Sequence, residues 1–551
     1  MTMTTDEAYT YTTGLRLDPR SANPDGWRVD WADGPWPVKV YSGARRLPLR
    51  PDGPPPLAAL HRLLHGGFAV SRIRTDPSGG IAATPADPRP HHGPEVQLRR
   101  PVPSGGAMYP TEVYAALTAT GQVCHYDPYR HELTVLAGGD AAARLRAALH
   151  LPTEAAPAAV LVLTSRFWKN FYKYGDFATR LGLVDAGVAL GRAARLARAE
   201  WEHAEVRTVF DDEAVHACLG LDGEEENAWA AVTLGPYLPY RADTGGPDAP
   251  PRPALLERSR TVRRSDRFTA FQRAAREDTS TAAPARPPED AVPATAPGPV
   301  PGDAGPAAAP GPVHEDAVSA AAPRPVPGDA VPVGPVPLPA PRALDLLAAE
   351  TAARRFSRGR LFTGAEADGE ALAGVLGQAA EALRALAGAG ADGPAGWAAR
   401  TRLYCAVHRV RGVPPGWYRY AHELGALLPV GEGTGPGSAR RVQEALFAAS
   451  FNAELAAFTV HPVTPADWRP AGGPRAYRAQ QLAVGAAIEA VTLAAAAEGL
   501  SGHAVLGFDV TRIDTAYGLD GGADTDGGTQ AQICVGAVRP DPNWEIAVMP
   551  R

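Results

Sequence analysis

Arg180 stands seven residues before Gly187, and Arg478 stands seven before Gly485. Each arginine also lies 40 residues ahead of a Gly-Leu-Asp-Gly turn, at 220–223 and at 518–521. Phe210-Asp211 and Phe508-Asp509 fall in the same register, and a strand ending in glycine (Gly235, Gly536) follows each turn. Chance supplies one such match, not a set at one gapless spacing, so the chain is read as a duplicated fold. At the centre of each copy lies a nearly all-apolar segment that begins close to the arginine, continuing to Leu196 in the first and covering 482–500 in the second. A helix apolar on every face is a buried one. The two helices are therefore expected to pack on each other as a pseudo-two-fold pair.

Strand-like apolar runs are predicted at 112–119, 159–167 and 229–235, and again at 402–410, 455–463 and 531–538. Both halves thus mix strands with a long helix. Between the copies, 279–341 is almost pure Pro, Ala, Gly, Val and Asp and repeats PVPGDA and EDAV. Such a segment cannot offset the entropy of ordering and is expected to be a disordered, semi-extended linker. A basic connector, 251–278, precedes it, and residues 1–95 show only a short helix near 57–64 and no clear fold. The domains are drawn at 96–250 and 342–551.

The net charge of −6 argues against a nucleic-acid footprint. Cys124, Cys218, Cys405 and Cys534 have neither disulfide nor metal spacing, so no metal site is expected. The polar N-terminus is not a secretory signal, and Glu489 and Glu498 interrupt the best apolar run. A soluble cytoplasmic protein, without membrane or nucleic-acid partners, is the expectation.

The register also exposes what differs. Just ahead of the first apolar helix, Phe167, Trp168, Lys169, Phe171, Tyr172, Lys173 and Tyr174 crowd aromatic and cationic groups together. Lys173 and Tyr174 fall opposite Ala471 and Gly472. Desolvation lowers a lysine pKa and raises a tyrosine pKa, while the lysine charge pulls the tyrosine back down. The pair can thus make a base, with Tyr174 lowered by Lys173 as the candidate and Lys173 itself as the alternative. The other reading is a snorkelling lysine beside an ordinary core tyrosine. Pro103-Ser104-Gly105-Gly106, whose glycines let a backbone approach a ligand closely, has no counterpart in the second copy. The second copy instead has Arg355-Phe356-Ser357-Arg358, weaker at 43–46, and Gly507 opposite Val209. Each copy keeps what the other has lost.

Together these residues resemble the flavin-dependent nitroreductase superfamily. The nearer match is its azoline dehydrogenase branch, which oxidises thiazolines and oxazolines in ribosomally made peptides such as thiopeptides, cyanobactins and microcins. The resemblance covers about 96–245 and, more faintly, 343–551. PSGGAMYPTEVY is similar to that branch's P-S-A-G-A-x-Y-P-x-E flavin motif, with Gly105 replacing the usual Ala, and Lys173-Tyr174 resembles its catalytic Lys-Tyr pair. The resemblance implies an α+β fold of two nitroreductase-like, FMN-binding domains in an intrachain pseudo-dimer, each a mainly antiparallel sheet with flanking helices. It implies one FMN between them. The first domain would supply Arg100, Pro103, Ser104, Gly105 and Gly106 with the catalytic Lys173 and Tyr174. The second would supply Arg355, Ser357 and Arg358 for the phosphate and the backbone around Gly507 for the flavin N5.

Arg263, Ser265 and Arg267 also fit the phosphate motif; Arg355 is preferred because a Leu- and Ala-rich helical pattern follows it, and a solvated basic segment is the other reading of 263–267. The implied reaction turns an azoline into an azole, with O2 as the final oxidant. An azoline-containing precursor peptide and cyclodehydratase components are the implied partners, and the protein would be a monomer by pseudo-dimerisation or a homodimer. Two other functions stay open: a general NAD(P)H-dependent nitroreductase, which needs no Lys-Tyr pair, and a non-catalytic scaffold that holds no flavin.

Overall fold

The computed structural model describes residues 3–22, 27–30, 33–75, 96–201, 203–239, 253–277, 334–341, 361–387, 394–448, 450–519, 527–540 and 544–547. In the first half β1 (Arg46–Pro48), β2 (Thr111–Leu117), β3 (Gln122–Asp127), β4 (Glu132–Ala137), β5 (Ala159–Arg166), β6 (Val206–Arg207) and β7 (Glu226–Leu234) form one sheet. Its order is β6-β7-β5-β2-β3-β4-β1, antiparallel throughout. In the second half β8 (Val336–Pro337), β9 (Arg402–Val407), β10 (Gly416–Ala421), β11 (Ala426–Thr434), β12 (Phe458–Pro465), β13 (Ser501–Val505) and β14 (Gln532–Gly536) do the same. Their order is β13-β14-β12-β9-β10-β11-β8, strand for strand that of the first sheet and likewise antiparallel. The α+β expectation holds. Strands β2, β5 and β7 are buried at every residue, which is why they read as continuous apolar runs.

The helices used below are α1 (Thr5–Leu17), α2 (Leu57–Gly67), α3 (Phe167–Tyr174), α4 (Ala178–Glu200), α5 (Asp212–Leu219), α6 (Asp266–Glu277), α7 (Gly369–Ala387), α8 (Pro474–Ala497) and α9 (Val510–Tyr517). Helices α4 and α8 pack directly on each other, with α2 on the first and α7 on the second. The crossing is symmetric down to the backbone. A Cβ on Gly187 would lie 2.3 Å from the Leu482 carbonyl oxygen, and one on Gly485 would lie 2.2 Å from that of Val184. No side chain fits at either point, so glycine is required at both. The two arginines of the repeat cross the same interface: Arg180 donates to the Gln530 carbonyl, and Arg478 to the Trp229 carbonyl at 2.9 Å and to Asp212 at 2.7 Å. Helix α8 is long and apolar enough to span a bilayer, but it lies inside this core.

The remaining repeated residues are helix punctuation. Asp211 and Asp509 cap α5 and α9 by accepting from the backbone amides of Ala214 and Arg512. Gly220 and Gly518 end the same helices at φ +68° and +70°, a left-handed conformation that glycine adopts at no steric cost.

Four expectations about boundaries are corrected. Residues before 96 belong to the fold: β1 is the seventh strand of the first sheet, and Val40–Tyr41 pairs with Leu255–Leu256. Helix α1 joins the halves, Tyr11 bonding to the Asp176 carbonyl and Thr179, while Thr12 accepts from Trp468 Nε1 at 3.1 Å. Within the predicted linker, Val336 and Pro337 are a strand of the second sheet; residues 278–333 lie outside the described residues. The basic connector is more than a link, because α6 buries Phe268 and Phe271, while 260–264, 266 and 267 stay exposed, as the solvated reading of 263–267 has it. Finally, Trp544–Ala547 pairs with Arg72–Thr75, so the end of the second half completes a sheet in the first.

Candidate functional site

The site begins where the strand Val96–Arg99 ends and the chain approaches β2 through residues 100–110. Ser104 is extended, Gly105–Ala107 makes a single tight turn, and Gly106, Ala107 and Tyr109 have φ of +59°, +56° and +48°. Non-glycine residues are rare in this region, and such strain gathers at functional loops. Glycine suits this position, because an Ala Cβ would meet Leu181 Cδ1 at 2.5 Å and the leucine side chain would have to move. That accounts for the departure from the usual Ala in the motif.

Helix α3 delivers Lys173 and Tyr174 to the open side of this turn. A Cβ on Gly106 would lie 2.1 Å from Tyr174 Oη and 2.9 Å from Lys173 Nζ. The glycine backbone therefore lies in close contact with the phenol and with the lysine Nζ, and Gly106 itself is exposed. Lys173 Nζ stands 5.1 Å from the centre of the Tyr174 ring. Burial raises the Tyr174 pKa well above the usual tyrosine range, and the Asp185 carboxylate raises it further. This corrects the expectation that Lys173 lowers Tyr174. The net shift is upward, because burial and Asp185 decide it.

Asp185, on α4, escaped the sequence reading. It accepts from Ser104 Oγ at 2.7 Å and from the Gly105 N–H at 3.2 Å, while Ser104 Oγ accepts from the Tyr109 N–H at 2.9 Å. Burial pushes its carboxyl up to about 6 against the pull of those two hydrogen bonds. The register held a signal for it, since Asp185 falls opposite Ala483.

Arg100 lies behind the loop. It donates to the carbonyls of Pro37 and Thr111 and stacks 5.0 Å from the Tyr109 ring centre. Together with Pro103, Ser104 and Asp185 it lines a small cavity on the buried side of the turn. Below, Glu112 accepts from Lys169 Nζ at 3.1 Å and pairs with His125 Nε2 at 3.0 Å. Burial works against the Glu112 carboxylate, but Lys169 and His125 outweigh it and hold the pKa well below the usual range.

The phosphate-side residues Arg355, Ser357 and Arg358 lie outside the described residues. Gly507 has open space at its Cβ position, and its carbonyl accepts from the Phe447 N–H at 3.3 Å. Of the rival set, Ser265 caps α6 and donates to Asp176, Arg267 faces Asp176 at 3.3 Å, and Arg263 stacks on Trp27 at 5.6 Å. A carboxylate thus already stands between the Ser and one Arg of that motif. At the other end of α3 from Lys173, a cavity of about 270 Å³ is lined by Arg166, Trp168, Phe171 and Phe268 among others.

No family model matches the sequence, and no curated protein matches it. Among solved structures, a candidate nitroreductase from Anabaena variabilis matches over 97% of this chain and 99% of its own, with a TM-score of 0.67 and 19% identity. This chain has the nitroreductase fold. A chain of the E. coli microcin synthetase McbBCD complex with truncated pro-MccB17 bound is 21% identical over 36% of this chain and 70% of its own, with a TM-score of 0.26. A candidate nitroreductase from Ralstonia eutropha is 19% identical over 40% and 90%, with a TM-score of 0.25. Within the nitroreductase fold, the loop at 103–106 and the pair at 173–174 meet in the first half, while the second half keeps Ala471 and Gly472 at the pair's positions.

Proposed function

We propose that this chain is an FMN-dependent oxidoreductase that converts azolines to azoles in a modified peptide. The observation that carries the reading is the contact at Gly106, where a glycine backbone, Lys173 and Tyr174 converge at one exposed residue. A planar ring system fits a surface from which the side chain has been removed. The residues that would hold it are Pro103, Ser104, Gly105 and Gly106 from the first half and the backbone near Gly507 from the second. Arg355, Ser357 and Arg358 are assigned to the phosphate. Ser265 and Arg267 are already turned to Asp176, whose charge would repel a phosphate.

FMN, when bound, would supply the two-electron acceptor for the hydride, with dioxygen as the final oxidant. The chain's own work concerns the proton. An azoline loses one hydrogen as a proton from the adjacent ring position, and Lys173, in its neutral form, is the acceptor placed to take it. Tyr174, kept protonated by burial and by Asp185, donates a hydrogen bond that orients the ring. Azolines arise by cyclodehydration of Cys, Ser or Thr residues, so cyclodehydratase components and the precursor peptide are the proposed partners.

The test is the absorption spectrum of the purified protein, followed by incubation with an azoline-bearing peptide. Bound flavin and a mass loss of about 2 Da, the two hydrogens removed, are expected. Rapid bleaching of the flavin by NADPH with no change in peptide mass would favour a general nitroreductase. Protein that binds no flavin would leave only a scaffold.

A further inference from the structure

We propose that Asp185 is the positioning residue of the 103–109 loop: its carboxylate holds the turn in the course that presses Gly106 against Lys173 and Tyr174. Three independent observations converge on it. The first is connectivity. Asp185 takes the Ser104 hydroxyl and the Gly105 amide, and Ser104 in turn takes the amide of Tyr109, so one carboxylate ties both ends of the turn.

The second is strain. Gly106, Ala107 and Tyr109 are left-handed within four residues, and two of them are not glycine. A chain adopts such a course only when its surroundings hold it there. The anchor on α4 is the group that does so.

The third is the internal comparison. Asp185 falls opposite Ala483, in the copy that has no Pro-Ser-Gly-Gly loop and has Ala471 and Gly472 opposite the Lys-Tyr pair. Helix α8 packs in the core with alanine at that position, so the helix pairing does not need a carboxylate. Loop, pair and aspartate are present together in one copy and absent together from the other.

The titratable groups that face Asp185 are Lys169 and the neutral Tyr174, both from α3, and Arg100 from the segment before the loop lines the same small cavity. Lys169 favours its ionised form, and burial opposes it. A carboxyl raised to about 6 is ionised at neutral pH at a cost to the fold. The sign follows from linkage: the folded protein binds the proton more tightly than the unfolded one, so this group lowers stability as pH rises through about 6. Below that pH the carboxyl is neutral, the cost disappears, and the grip on the loop weakens.

The experiment is hydrogen exchange of the full chain, read at amides 105–109, for the unmodified protein, Asp185→Ala and Asp185→Asn at pH 8 and pH 5, with melting curves and an FMN titration beside it. The inference about the loop stands on geometry; only the titration arm rests on the proposed flavin chemistry. Expected at pH 8 is at least tenfold faster exchange in Asp185→Ala, confined to the loop, with a melting temperature equal to or above that of the unmodified protein. The unmodified loop itself should lose protection between pH 8 and pH 5, after correction for intrinsic rates. Asp185→Asn, which keeps one acceptor, should be intermediate and independent of pH. FMN affinity should fall at least tenfold in Asp185→Ala. Unchanged loop exchange in Asp185→Ala overturns the proposal, as does faster exchange spread over the whole molecule together with a lower melting temperature. If the unmodified protein binds no FMN, the proposed function fails, and the exchange data still decide the role of Asp185.

Discussion

A Cβ on Gly106 would lie 2.1 Å from the hydroxyl of Tyr174, so the position of each of these two residues depends on the other. Gly106→Ala must displace the tyrosine or open the turn, and at φ +59° it adds backbone strain. We expect a destabilisation of roughly 1–3 kcal/mol, measured from denaturant midpoints, together with loss of flavin binding in a titration. Flavin affinity equal to that of the unmodified protein would place the cofactor elsewhere.

The glycines of the helix crossing make a paired prediction. Gly187→Ala and Gly485→Ala each push a methyl group into a backbone carbonyl of the opposite helix. Each should cost about 1–3 kcal/mol or more, because the obstacle is backbone and cannot rotate away. The two losses should be similar in size. Thermal or denaturant unfolding measures them, and a large inequality would show that the crossing is not symmetric in energy.

For the pair itself, Lys173→Ala should lower azole formation by roughly 10²–10⁴-fold, the usual effect of removing a general base. Tyr174→Phe, which removes a donor, should lower it by roughly 10²–10³-fold. Both variants should stay yellow and melt normally, since Ala471 and Gly472 occupy these positions in the other copy. The rise of kcat/KM with pH reports the base. It should persist in Tyr174→Phe, and its survival in Lys173→Ala would remove the role given to the lysine.

Glu112→Gln leaves Lys169 buried without its anion. A loss of about 3–5 kcal/mol at pH 7 is expected. The Glu112 pKa is depressed in the folded protein, so its stabilisation is present above the ordinary carboxylate range and is lost only as pH falls well below it. Urea unfolding at pH 7, 5 and 3 should show a gap that is wide at the first two values and narrows at the last.

Much of the architecture could be read because duplication samples the same constraints twice. Gly187 and Gly485, or Asp211 and Asp509, stand in register since a helix crossing and a helix cap each demand one residue type. Short strands gave no such signal: Arg46–Pro48 and Val336–Pro337 are too brief for alternation to show, and their pairing comes from the sheet they join. Helix α1, opened by the capping box of Thr4 and Glu7, was not read at all, and nothing in that box points to a helix that bridges both halves. At the site, the loop and the pair stood out by composition. The state of Tyr174 did not, because its sign is set by burial and by Asp185, eleven residues further along the chain and one helix away.

The strand Trp544–Ala547 lies along Arg72–Thr75, which pairs on its other side with Val96–Arg99. During synthesis the early strand waits for its neighbour through more than 400 residues, on the order of a minute at typical ribosomal speeds. An open strand edge is a template for wrong partners over all of that time. The first half to emerge from the ribosome thus stays unfinished longest, and its hazard in a cell lies in the interval before Trp544–Ala547 arrives.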